Sequence, residues 1–97
     1  MSTNTDRKGA ASETIDAYRA ARDAYYVAAA REDATFARYF AKRVNGEKTN
    51  GAAVARAMNV TSYASAEMAQ AQGRIYAMGM DPWDIDDQDG VERTPIC

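Results

Sequence analysis

Residues 49–78, TNGAAVARAMNVTSYASAEMAQAQGRIYAM, decide how this chain folds. Two readings compete. A turn at Asn59-Val60-Thr61 would divide the stretch into two short helices. Without that turn, Val54, Ala57, Thr61, Ala64, Met68, Ala71, Ile75 and Met78 alternate at spacings of three and four, one apolar seam along a single helix with no charged residue in it. Three of those eight positions are Ala, which lets a second helix approach closely. Against continuity stand Asn59-Val60-Thr61-Ser62, four residues of poor helix propensity that together cost about 1–2 kcal/mol relative to Ala.

Upstream, Ser12 can cap a helix, with Glu13 and Asp16 near the positive end of its dipole. Ile15, Tyr18, Ala21, Tyr25 and Ala28 then fall on one stripe. Arg31-Glu32-Asp33 interrupts it with charge but contains no steric breaker, so we expect continuity or a mild kink with the three charges facing solvent. Asp33 capping a second helix through Phe36, Tyr39, Phe40 and Val44 is the alternative. Asn45-Gly46 stops the first long helix, Thr49 or Asn50 starts the next, and Gly79 followed by Pro82 ends it. The expectation is an all-α fold: an antiparallel hairpin of helices near 12–44 and 50–79, or a three- to four-helix bundle if either breaks. Residues 1–11 read as a flexible arm, 12–79 as the helical domain and 80–97 as an acidic C-terminal tail.

The 97 residues make one small domain. More than one residue in five is Ala and none is Leu, so the core must be thin, which favours oligomerisation as a further source of burial. Val54, Ala57, Met68, Ala71, Ile75 and Met78 are the candidate oligomer seam, with Tyr18 and Tyr25 opposite.

Net charge is −2, but it is polarised. Residues 81–92 hold six acids, whereas Arg38, Lys42, Arg43, Lys48 and Arg56 face a single acid, Glu47. Those five cations are the candidate polyanion-binding face. Opposite charges at high effective concentration suggest that the tail folds back over this basic face, anchored by Trp83 and Ile85.

The segment 51–61, GAAVARAMNVT, resembles the first helix and turn of the helix-turn-helix in phage and bacterial repressors. The resemblance implies Val54 and Ala55 at the inter-helix contact, Met58 in the core, Asn59 in place of the usual turn Gly, Val60 plugging the turn and Thr61 capping a recognition helix. It departs from the family downstream: Ser65 stands where a branched apolar residue belongs, and no Arg, Lys, Asn or Gln occurs between Ser62 and Gln70 to read base edges.

Other chemistries find little footing. Asp86-Asp87-Gln88-Asp89-Gly90 is similar to a calcium loop, but Ile85 and Ile96 stand where an EF-hand needs an acid and a bidentate Glu. Tyr63 and Glu67 resemble the Tyr-x-x-x-acid signal of actinobacterial helical-hairpin proteins, yet the bend here is Val44-Asn45-Gly46 rather than Trp-x-Gly. There is no His, the one thiol is Cys97, and no phosphate loop or paired carboxylate stands out. We expect no enzyme activity, no metal and no cofactor. Lone Cys97 and the lack of a signal or spanning segment suggest a cytoplasmic protein that does not enter a membrane. The leading expectation is a non-catalytic helical protein that self-associates and binds a macromolecular partner, foremost a protein. A small helix-turn-helix DNA-binding regulator is the alternative.

Overall fold

The computed structural model describes residues 3–91, with side chains described for 11–91. Cys97 and the final residues of the expected tail lie outside the described residues. Among these there are three helices and no strand: α1 Thr3–Val44, α2 Ala52–Ala77 and α3 Pro82–Asp89. None is long and apolar enough to cross a membrane.

α1 and α2 pack antiparallel, and the periodicity of each explains the contact. Every residue of the seam from Val54 to Met78 is buried or half-buried, with Ala71 and Ile75 the most covered. The stripe on α1 from Ile15 to Ala28 is turned the same way, toward α2. Tyr18, Ala71, Ile75 and Ile85 form the core, flanked by Ile15, Ala21, Met68 and Met78. The molecule measures about 67 × 27 × 16 Å, and its radius of gyration is 18.2 Å. A compact chain of this length would have a radius near ~12–13 Å, so the hairpin is a thin rod with two broad faces.

α2 runs unbroken through Asn59-Val60-Thr61-Ser62, so of the two arrangements of this stretch the continuous helix is adopted. Thr61 shows how its poor propensity is accommodated. Its hydroxyl donates to its own helix at Ala57 O (3.0 Å) and reaches the α1 carbonyl of Ala28 at 3.3 Å. Asn59, Val60 and Ser62 are exposed and cost nothing in packing.

Three expectations need correction. The first helix starts at Thr3, not at Ser12, which lies inside it. Nothing between them breaks a helix, since the segment lacks Pro and Gly9 costs only about 1 kcal/mol. Arg31-Glu32-Asp33 is likewise traversed, but only Arg31 and Asp33 face solvent. Glu32 follows Ala28 by four residues and is half-buried beside the seam. The candidate oligomer seam is largely used within one chain: Ala71 and Ile75 are buried against α1, and Val54, Ala57, Met68 and Met78 are half-buried there. With Ile75 at 0% exposure inside one chain, a change there attacks the hairpin before any assembly.

The helix ends are set by local chemistry. Gly46 (φ 75°) and Gly79 (φ 78°) take the left-handed conformation that closes α1 and α2, with Glu47 N bonding Lys42 O and Met80 N bonding Ile75 O. At the start of α2, Asn50 Oδ1 accepts from Ala52 N at 2.8 Å.

Candidate functional site

The acidic segment after Gly79 is a folded element. Asp81 caps α3 by accepting from Trp83 N at 2.9 Å, and Pro82 supplies a fixed φ at the first helical position. Pro82, Ile85, Asp86 and Asp89 then share one face at helical spacing. Pro82 and Ile85 are buried, and the two carboxylates meet α1.

That meeting is a polar clamp. The Tyr18 hydroxyl donates to Asp86, with its oxygens at 2.9 and 3.0 Å. Arg22 Nη1 donates to Asp86 Oδ1 at 3.0 Å and to Asp89 Oδ2 at 2.7 Å, while its Nε donates to Asp23 at 3.0 Å. Arg19 Nε donates to the same Asp89 oxygen at 2.9 Å. Arg22 and Asp86 are each only 5% exposed. Burial, joined by the hydrogen bond to Asp86, pushes the Tyr18 phenol up to about 12. For Arg22, burial alone would disfavour the cation. Its bonds to Asp89, Asp86 and Asp23 outweigh that and hold it above its ordinary value. Asp89 is held below the usual carboxylate range, first by Arg22 and then by Arg19.

The clamp corrects the expected docking of the tail. α3 does fold back, but onto Tyr18, Arg19 and Arg22 rather than onto the basic face, and Trp83 is 60% exposed while Ile85 is buried. Reach explains the place. α2 is about 39 Å long at 1.5 Å per residue, and the basic residues lie at its far end. Four residues of connection and an 8-residue helix cannot return that distance.

α3 covers one end of a broad face. Ile15, Arg19 and Arg22, where it docks, belong to a second stripe on α1 that continues at spacings of four and three through Tyr26, Ala29, Asp33, Phe36 and Phe40. Beyond α3 the stripe is uncovered. Tyr26 is exposed beside Tyr25, with ring centroids 5.8 Å apart, and Phe40, 56% exposed, stacks on Phe36 at 5.9 Å. Between the helices, Tyr25, Glu32, Met58, Thr61 and Ser65 line an open cavity of about 460 Å³.

The five candidate polyanion-binding residues do not act as one patch. Arg38, Lys42 and Lys48 surround a cavity of about 400 Å³ at the hairpin turn, together with Thr35, Tyr39 and Thr49. Arg43 does not line it: its guanidinium donates to the Tyr39 hydroxyl at 3.1 Å and lies 5.8 Å from the Tyr39 ring centroid. Arg56 Nε turns to its own helix at Ala52 O, 3.4 Å away. The Asp86–Gly90 run forms the end of α3 and its cap rather than a cation loop.

Sequence reasoning missed Tyr18, Arg22, Asp86 and Asp89 as a unit. The available signal was Asp81-Pro82 followed eight residues later by Gly90, a cap and a stop that bracket one short helix. No family model, no curated protein and no solved structure matches the chain. The class is therefore defined by the architecture alone: an all-helical hairpin with a third helix clamped at one end.

Proposed function

We propose that this chain is a non-catalytic helical assembly module whose half-covered face docks a second copy of itself. The observation that carries the proposal is the apolar face beyond α3, where Tyr26, Phe40 and Met58 are exposed and Phe36 is half-buried, on a rod only 16 Å thick. From Tyr25 to Phe40 the uncovered length is about 24 Å, and the rod is 27 Å wide. That area is of the order of the ~800 Å² per partner that stable interfaces bury.

Charge favours an antiparallel pairing. The α3 end stays acidic, with Asp81, Asp84, Asp86, Asp87 and Asp89 on one short segment against Arg19 and Arg22, whereas the turn end holds five cations against Glu47. Antiparallel copies bring opposite ends together, and parallel copies would oppose like charges. The same pairing places the exposed Trp83 of each copy near the aromatic end of the other. The helix-turn-helix alternative rests on the resemblance of residues 51–61, and a continuous α2 offers no separate recognition helix.

Sedimentation equilibrium and tryptophan emission test the reading together, because Trp83 is the only indole. We expect a dimer at micromolar concentration, emission shifting to the blue as it forms, and loss of both in Phe40→Glu with helicity retained. A wild type that stays monomeric while fully helical refutes the proposal.

A further inference from the structure

From the cavity at the hairpin turn we infer a binding site for small phosphate-bearing anions, on the face opposite the assembly stripe. Arg38 and Lys42 are four residues apart and share a side of α1, and Lys48 closes on them from the loop. Arg38 lies two residues from Phe40, about 200° around the helix, so covering the aromatic stripe leaves this cavity open. None of the three cations forms an ion pair among the described residues, and no carboxylate lines the cavity.

Three cations gathered without a counter-charge repel one another, and an anion relieves that repulsion. The surroundings select its kind. The Arg38 fork fits a planar pair of oxygens and the lysines act as mobile point charges, while the Thr35 hydroxyl at the wall is spent on Arg31 O at 2.8 Å. The first turn of α2, at the rim, carries no acidic residue to offset the positive end of its dipole. A monocarboxylate would neutralise one of the three charges, whereas a diphosphate group offers enough charge and enough acceptor oxygens for all of them. The volume of about 400 Å³ falls within the range of small-ligand pockets.

The test is a titration of the full-length chain with pyrophosphate, followed by amide chemical shifts at constant ionic strength set with chloride. We expect saturable shifts confined to residues 35–42 and 48–54. Arg38→Gln and Lys48→Gln should each weaken binding about tenfold, as befits one charge-assisted hydrogen bond near the surface. Both side chains are exposed, so the variants keep their fold, which circular dichroism verifies. Arg74→Gln, an exposed cation toward the other end of α2, should leave affinity unchanged. Adenosine diphosphate binding at the same residues would show that an organic diphosphate is accepted as well, and supports the site. Shifts that never saturate, or an equal loss in Arg74→Gln, would overturn it. So would binding to short duplex DNA with no response to pyrophosphate. None of these results depends on whether the opposite face assembles.

Discussion

Replacing Arg22 by Met removes the centre of the clamp while keeping most of the aliphatic bulk of its stem. Asp86, 5% exposed, would then lose its ion pair with Arg22 and keep its hydrogen bond from the Tyr18 hydroxyl. Breaking a buried ion pair from one side costs about 3–5 kcal/mol, because the surviving charge stays desolvated. Two features place the change at the lower end of that range. Tyr18 still reaches both oxygens, and Asp89, at the rim, keeps Arg19. The loss also has a ceiling. Once it exceeds the free energy that docks α3, the short helix detaches, its carboxylates return to water, and the remaining hairpin no longer registers the penalty. We therefore expect a loss of about 3 kcal/mol or the detachment of α3, whichever is smaller.

Hydrogen exchange separates the two outcomes. Detachment removes protection from the amides of residues 84–91 and leaves those of 15–28 near their wild-type values, whereas global destabilisation lowers all of them together. Urea unfolding followed at 222 nm supplies the overall free energy. Asp86→Leu combined with Arg22→Met should recover part of the loss, since the uncompensated charge is gone. An Arg22→Met protein with wild-type midpoint and unchanged protection across α3 would show that the clamp is decorative, and the reasoning would fail.

Two further outcomes follow from the same core. Tyr18 has a folded pKa of about 12 against 10.0 for an ordinary phenol. Its protonated form is favoured by the fold, so this stability is fully present below pH 10 and is lost as pH rises through about 12, about 3 kcal/mol in all. Absorbance at 295 nm should show one of the six tyrosines titrating late, and Tyr18→Phe should abolish that step; all six ionising together near pH 10 in a folded protein would contradict it. Ile75→Ala should cost about 3 kcal/mol by leaving a cavity among Tyr18, Ala71 and Ile85, and Ile75→Val about 1 kcal/mol. A change of under ~0.5 kcal/mol for the Ala variant in urea unfolding would mean that Ile75 is not at the core.

The parts of the fold that were legible share one physical origin. Burial along a long helix is periodic, so Val54 to Met78 and Ile15 to Ala28 announced which faces would meet. Gly46 and Gly79 announced where the helices would close, because few other residues tolerate a positive φ. What was not legible is which charged residue beside a stripe turns inward. Arg22 follows Tyr18 by four residues, as a surface arginine would, and its partner Asp86 is 64 residues away. Only the docking of α3 makes that position interior. Glu32 was hidden for the related reason that a charge triplet reads as solvent-facing, although one of three consecutive helical residues beside a seam commonly points toward it. At the candidate sites, the basic residues could be named from composition. That Arg38, Lys42 and Lys48 converge while Arg43 and Arg56 turn away depends on rotamers and on the loop path, which no count of charges contains.

The distribution of burial along the rod connects the clamp to the proposed functions. Every buried residue on α2 and α3 lies in the half nearest the clamp: Ala71, Ile75, Pro82, Ile85 and Asp86, opposite Tyr18 and Arg22. From Ala29 through Gln70 none is fully buried. An 8-residue helix is too short to hold itself together in water, and it turns just two apolar side chains inward, so the directed bonds of Asp86 and Asp89 are what fix its position and register on α1. That fixed end shelters Ile75, the most covered side chain in the hairpin, and it ends the apolar stripe by occupying its first two turns. The opposite end sets Val54, Ala57 and Thr61 against Glu32, Thr35 and Tyr39, all of them half-buried. A structure anchored at one end and open at the other leaves its aromatic stripe and its cationic cavity both on the less constrained half, on opposite faces. Contacts made there can order that half without disturbing the core on which the fold depends.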